Sequence, residues 1–300
     1  MFTFTPASRK QSKLRMTIDG PAGSGKTYTA LRFAHMLAQG GKIAYIDTER
    51  GSASKYVGES PDGIPWKFDV VNLTNFSPEK YTELIELAGK SGYSVLVIDS
   101  LSHAWEGVGG ALEIKDKASS TTKNNDYTAW RVVTPIHNRM IDTILQSPCH
   151  IITTMRSRMD YIQEVNEFGK VTGIRKVGMA PIQRPGMEYE FDLVCDMDWS
   201  HIMTVSKSRC TAVADLKVEK PGPSFMAKVL EWLESAGEEV APVFAAENVA
   251  ANVEPQAITL DRLLELYSVD QIMLANGGQI PASDEEVQAI FAILEGDVQV

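Results

Sequence analysis

Cysteine, long apolar runs and, toward the end of the chain, positive charge are what this 300-residue sequence has least of. Its three cysteines, Cys149, Cys195 and Cys210, lie far apart. They lack the paired spacing of a metal site or a disulfide framework, which suits a reducing compartment and small buried side chains. No run of eighteen apolar residues occurs, so no membrane span is expected. The opening Met1-Phe2-Thr3-Phe4-Thr5-Pro6-Ala7-Ser8-Arg9-Lys10 has no apolar stretch of the secretory kind, and a cytoplasmic protein is expected. From Glu231 onward a single basic residue, Arg262, faces fourteen acids, so this end carries −13 of the net −10 and the first 230 residues carry +3. A nucleic-acid surface would therefore belong on the mildly basic body, because the acidic end repels phosphate.

The most specific feature present is Gly20-Pro21-Ala22-Gly23-Ser24-Gly25-Lys26-Thr27, a complete phosphate-binding loop of the form G-x-x-x-x-G-K-[ST]. The glycines let backbone N–H groups turn inward toward an anion, and the helix that follows aims its positive dipole end at the same place. Lys26 would reach the outer phosphates of a nucleoside triphosphate such as ATP, and the Thr27 hydroxyl would ligate Mg²⁺. Tyr28 follows directly. The setting is the required one, with a short strand at Leu14–Ile18 before the loop and an amphipathic helix at Thr27–Leu37 after it.

From Leu14 to about Asp198, strand and helix patterns alternate, as in an α/β fold with a mostly parallel sheet. Strands are expected at 42–47, 68–72, 94–99 and 150–154, and helices near 78–88 and 127–146. Two later runs, 191–197 and 202–205, are close enough to form an antiparallel hairpin at the sheet edge. The pattern divides into an N-terminal extended segment (1–13), a phosphate-loop α/β core (14–235), a linker (236–257) and an acidic tail of short helices (258–300) that would dock a protein partner or simply solubilise.

Two carboxylates are candidates for the chemistry. Asp99 ends the apolar strand Ser94–Asp99 and could organise Mg²⁺, or cap a helix. Glu49 follows the strand Lys42–Asp47; it could activate a water, although an exposed loop glutamate is the default reading.

Ile46-Asp47-Thr48-Glu49 and Val97-Ile98-Asp99-Ser100, together with the phosphate loop, make the chain resemble the RecA superfamily of P-loop ATPases. The opening GPAGSGKTYTAL and the stretch Lys176–Asp192 look most like bacteriophage RecA-like ATPases linked to single-strand annealing and recombination. The resemblance covers roughly residues 4–235. It implies a RecA-like core with a mostly parallel sheet, Mg²⁺-dependent ATP hydrolysis, single-stranded DNA as partner, and a ring or filament of copies. It gives Glu49 the role of base and Asp99 that of metal organiser. It puts Thr154 where a γ-phosphate sensor, usually Gln, would stand, with Arg156 as the alternative. Lys207 and Arg209 fall where paired cations reach a neighbour's ATP, although a solvated basic hairpin reads equally well. Two DNA-binding loops are implied, at Ile114–Asp126 (Lys117, Lys123) and Arg156–Arg184 (Arg156, Arg158, Lys170, Arg175, Lys176), with Tyr161 and Phe168 to stack bases. Phe4 and Ala7 fit an F-x-x-A segment that docks on the next subunit. Two rival classes remain open: a small-molecule or nucleotide kinase, and a nucleotide-gated adaptor of helicase-loader type.

Overall fold

The computed structural model describes residues 12–121, 126–165, 171–235 and 259–296. The expectations for Phe4, Ala7, Lys123, Phe168 and Lys170 lie outside these residues. The chain divides into two compact units, Met1–Glu238 and Glu239–Val300.

The first unit is a nine-stranded sheet between two layers of helices. Its strands are β1 (Arg15–Gly20), β2 (Ile43–Asp47), β3 (Asp69–Asn72), β4 (Val95–Asp99), β5 (His150–Val165), β6 (Val171–Pro181), β7 (Leu193–Met197), β8 (Ile202–Ser208) and β9 (Lys217–Glu219). The order is β3-β2-β4-β5-β1-β7-β8-β9, with β6 paired to the outer half of β5. From β3 to β7 all neighbours are parallel, so their carboxyl ends share one side of the sheet. The β7–β8 hairpin is antiparallel, and β9 rather than β8 forms the rim.

The apolar run of β4 explains the layering. Val95 and Val97 pack into one core cluster with Phe33, Ala34 and Leu37 of α1 (Lys26–Ala38) and Phe225, Met226 and Val229 of α6 (Pro223–Glu234). Leu96 and Ile98 pack into the other cluster with Tyr81 and Ile85 of α2 (Pro78–Lys90) and Met140 and Ile144 of α5 (Asp126–Gln146). Residues alternate across a strand, so a strand with helices on both faces must be apolar throughout. Each such side chain contributes about 1.5–3 kcal/mol by burial. Between β4 and α5 lie the short α3 (His103–Glu106) and α4 (Ala111–Thr121).

Two expected loops are regular structure. Most of Ile114–Asp126 falls in α4, where Glu113 accepts from Gly109 N at 2.6 Å and pairs with Lys117 one turn on. That ion pair lets a polar run stay helical. Arg156–Arg184 is largely a long antiparallel hairpin, in which β5 outgrows the core sheet and pairs with β6 from Ser157↔Pro181 outward.

The second unit holds α7 (Leu260–Leu266), α8 (Val269–Ala275) and α9 (Asp284–Gly296), packed on Leu263, Ile272, Val287 and Ile290. Ser268 and Gln271 form a reciprocal cap on α8. Among the described residues no helix is long and apolar enough to cross a membrane.

Candidate active site

The loop from Gly20 to Thr27 links the carboxyl end of β1 to α1. Gly20 and Gly25 have φ of 152° and 95°, where other residues are strained. A Cβ on Gly20 would also lie 2.4 Å from the Met197 carbonyl oxygen, so β7 packs directly on the loop's first residue. Lys26 Nζ donates to the Gly20 and Pro21 carbonyls at 2.9 and 2.8 Å. Burial pulls its pKa down, against the opposing pull of Asp99 and Glu49. An amine held only by loop carbonyls can change partners when phosphate oxygens arrive.

Asp99, 2% exposed, is the centre of a hydroxyl cluster. Thr27 Oγ1 and Tyr45 OH each donate to its Oδ2 at 2.6 Å, and Thr154 Oγ1 donates to Oδ1. Burial and the nearby Asp99 carboxylate drive the Tyr45 phenol pKa far upward, keeping it a donor. The Thr27 hydroxyl beside a carboxylate oxygen is a set of hard oxygen donors that fits Mg²⁺. The site follows from topology: β5 lies between β1 and β4, so Thr154 sits between the phosphate loop and Asp99. Its hydroxyl is engaged on Asp99, and no phosphate-facing role follows for it.

Glu49 lies just past β2. The Asp47 carboxylate accepts from Glu49 N at 2.6 Å and Ala53 N at 3.2 Å, which turns the chain there. The Glu49 side chain meets Arg156, 107 residues away, with Oε1 accepting from Nη2 at 2.7 Å and Nε at 3.1 Å. Thr48 Oγ1 accepts from Ser100 N at 2.6 Å and meets His103 Nδ1 at 2.6 Å. Burial, reinforced by Arg156, lowers the His103 pKa and favours the neutral ring. Tyr45, Thr48 and His103 were not singled out by sequence; only their positions around Glu49 and Asp99 hinted at them.

Beside the loop opens a cleft of about 570 Å³ whose walls include Tyr28, Arg32, Tyr56, Met197, His201 and Lys220. It is continuous with Lys26 and Thr27 and has room for a nucleoside. His201 Nδ1 lies 3.0 Å from the Ser24 carbonyl oxygen; since a carbonyl only accepts, this nitrogen carries the proton. A larger cleft of about 1010 Å³ lies at the amino ends of the strands, among Lys13, Arg15, Asp192, Arg209 and Trp232. Its Arg15 guanidinium is tied to the carbonyls of Leu145, Ser147 and Cys149, and no phosphate loop adjoins it.

Lys207 and Arg209 belong to that amino end. Lys207 Nζ donates to the Glu188 and Tyr189 carbonyls at 3.1 and 2.7 Å, and Arg209 lies 3.5 Å from Asp192. Asp192 also accepts from the backbone of Arg15, the first residue of β1. Five residues of strand, about 17 Å, separate the level of Arg209 from Gly20; Lys207, opposite Val194 and so level with Thr17, is about 10 Å below it and has its amine turned to the Glu188 and Tyr189 carbonyls. Lys117 is on α4. Arg158 is exposed on β5, and Arg175 and Lys176 lie on β6 opposite Ile162 and Tyr161. The structure thus groups Lys26, Thr27, Glu49, Asp99 and Arg156 and places the other described basic candidates on other elements.

A family model described as an AAA domain matches residues 12–220, well over half of the chain. The chain belongs to this family. The matched AAA domain runs from the entry to β1 through β9 and contains every residue gathered at the carboxyl ends. Phosphate loop, parallel sheet and family agree on a nucleotide-binding P-loop core. No curated protein matches the sequence.

Proposed function

We propose that this AAA-domain protein is a Mg²⁺-dependent ATPase of RecA type that binds single-stranded DNA in recombination, annealing or repair. The observation that carries the reading is the convergence of Lys26, Thr27, Asp99 and Glu49 at the carboxyl ends of three parallel strands. Gly20 to Thr27 and Tyr28 would cradle the nucleotide, with Lys26 on the outer phosphates. Thr27 and Asp99 would hold Mg²⁺, which when bound neutralises phosphate charge. Glu49 would orient and deprotonate the attacking water through the oxygen that Arg156 leaves free.

The β5–β6 hairpin, with Arg158, Arg175 and Lys176 along it, is the proposed platform for single-stranded DNA. Lys207 and Arg209, the one turned away from its own loop and the other distant from it, would serve a neighbouring copy stacked head to tail. The exposed rim strand β3, with Val70 and Val71 uncovered, is an edge to which a neighbour's Phe4–Ala7 segment could add. On this reading Phe4→Glu yields monomers in light scattering that still bind ATP; an unchanged oligomer removes Phe4 from the assembly.

The deciding experiment is ATP turnover with and without single-stranded DNA. Stimulation of several-fold supports the proposal. Phosphoryl transfer to a small acceptor, indifferent to DNA, would make the protein a kinase, and binding without turnover an adaptor.

A further inference from the structure

Two segments remote in sequence wall the cleft beside the phosphate loop, and one side chain ties both. The first wall leaves β2 through the single helical turn Ala53–Tyr56 and continues as a loop that closes on itself. Gly58 N donates to the Trp66 carbonyl at 3.1 Å and Trp66 N to the Glu59 carbonyl at 2.8 Å. Its tip, Ser60 to Gly63, is turned by a bond from Gly63 N to the Ser60 carbonyl at 3.2 Å. At its root Tyr56 and the buried Trp66 pack around Tyr28, with ring centroids 5.9 and 5.0 Å from it. The second wall is the residue before β8 and the residues after β9. His201 and Lys220 both have positive φ, 62° and 46°, and Lys220 N donates to the His201 carbonyl at 2.9 Å.

Arg32, on the second turn of α1, reaches both walls. Its Nε and Nη2 donate to the two carboxylate oxygens of Asp62, at the tip of the first, at 2.7 and 2.5 Å. Its Nη1 donates to the Pro221 carbonyl of the second at 3.1 Å. Only 17% and 22% of the Arg32 and Asp62 side chains are exposed, so this is not the solvated surface pair whose worth is near zero. Gly222 follows the second wall. A Cβ on it would lie 2.5 Å from the Arg32 guanidinium carbon, so the bare backbone there gives the guanidinium its place.

We propose that Arg32 is a positioning residue that sets the width of the nucleoside cleft. A planar guanidinium makes a fork to a carboxylate and a further bond from its remaining nitrogen, which a single ammonium cannot do. Anchored on α1, it holds Tyr56 and His201 at the spacing a nucleoside needs before any ligand arrives. Binding then does not have to order residues 57–66, and that saving appears as affinity. All three of its nitrogens are engaged on protein oxygens, so the phosphates are left to Lys26. Arg32 therefore acts on the nucleoside half of the ligand alone. It rests on the nucleotide-binding reading of this cleft and needs neither hydrolysis nor DNA.

The test is equilibrium binding of ATP, ADP and inorganic tripolyphosphate to the full chain with Mg²⁺, beside steady-state turnover. Arg32→Met should weaken ATP and ADP alike by about tenfold and leave tripolyphosphate within about a factor of two. KM for ATP should rise by the same factor while kcat stays near the parent value. Arg32→Lys keeps the charge but spans one wall only, and should resemble Arg32→Met. Asp62→Ala should weaken ATP by about three- to tenfold and add nothing in the Arg32→Met background; it carries the same comparison if Arg32→Met fails to fold. Equal weakening of ATP and tripolyphosphate, or full recovery by lysine, would mean that the charge acts on the phosphates and would overturn the proposal. A lower kcat at unchanged KM, the mark of a smaller folded fraction, would overturn it as well. A parent protein that holds tripolyphosphate as tightly as ATP would overturn both the proposal and the nucleoside reading, and shows before any variant is made. Absence of turnover would remove the ATPase reading alone, and the binding comparison would still decide.

Discussion

The two ends of the sheet carry similar side chains in opposite states. At the amino ends, Arg15 is held by carbonyls of three residues between Leu145 and Cys149, and Lys207 by two more. At the carboxyl ends, Thr27, Tyr45 and Thr154 converge on Asp99, and Arg156 converges on Glu49. At the amino ends the cations are engaged on carbonyls of packed segments with no phosphate loop beside them. At the carboxyl ends, Lys26 on loop carbonyls and Arg156 on Glu49 both stand where a ligand's oxygens can replace the partner. The comparison teaches that the cation's place in the sheet, more than its charge or the kind of its partner, separates a structural cation from one available for chemistry.

The comparison is tested most severely at the carboxyl end. Glu49→Gln should lower ATP turnover by about 10²–10⁴-fold without weakening nucleotide binding, since it removes a base and preserves shape. Lys26→Ala should weaken triphosphate binding by about 100-fold, through loss of charge-assisted hydrogen bonds. Calorimetric titration beside a steady-state assay reads both; equal losses of binding and turnover in the two variants would erase the division of labour.

At the amino end, Arg15→Met should cost about 2–4 kcal/mol of stability, because buried carbonyls of Leu145, Ser147 and Cys149 lose their donor. Nucleotide affinity of the folded protein should stay within a factor of two or so, as expected of a side chain remote from the loop. A matching fall in affinity, measured at a temperature where the variant is folded, would break the contrast between the ends.

An effect that depends on pH is expected at Asp19, on β1 beside Asp196 of β7. Burial, with help from Asp196, pushes its carboxyl pKa up to about 8, and Ser157 Oγ donates to it at 3.2 Å. The folded chain therefore holds a proton that the unfolded chain releases above about pH 4. Stability from this group is present below that pH and declines as pH rises toward 8. Asp19→Asn should flatten that decline, read as the difference between urea midpoints at pH 5 and pH 8. An undiminished difference would assign the slope to other groups.

The phosphate loop and β4 were legible because their signals are local: eight consecutive residues in one case, an unbroken apolar run in the other. The hairpin was not. Arg156, Arg158, Arg175 and Lys176 make it read as a basic loop, and only pairing with β6 reveals the strand. Helix α4 hid for a related reason, since its Ser and Thr residues speak against a helix that the Glu113–Lys117 pair and the Gly109 contact support. The link between Glu49 and Arg156 could not be read at all. It depends on β5 entering between β1 and β4 in the register Gly20↔Arg156, a fact of tertiary pairing.

The helical unit at 259–296 has a scale of its own. Its buried core is four apolar side chains, Leu263, Ile272, Val287 and Ile290, in a unit that runs from Glu239 to Val300, a size at which a lone hydrophobic core leaves little to spare. At about 0.7 kcal/mol of unfolding enthalpy per residue, so small a body takes up little heat and melts over a broad temperature span. A ligand present at ten times its dissociation constant adds about 1.4 kcal/mol, a large share of such a margin. The occupancy of these helices is thus a graded quantity, set by temperature and by the company the unit keeps.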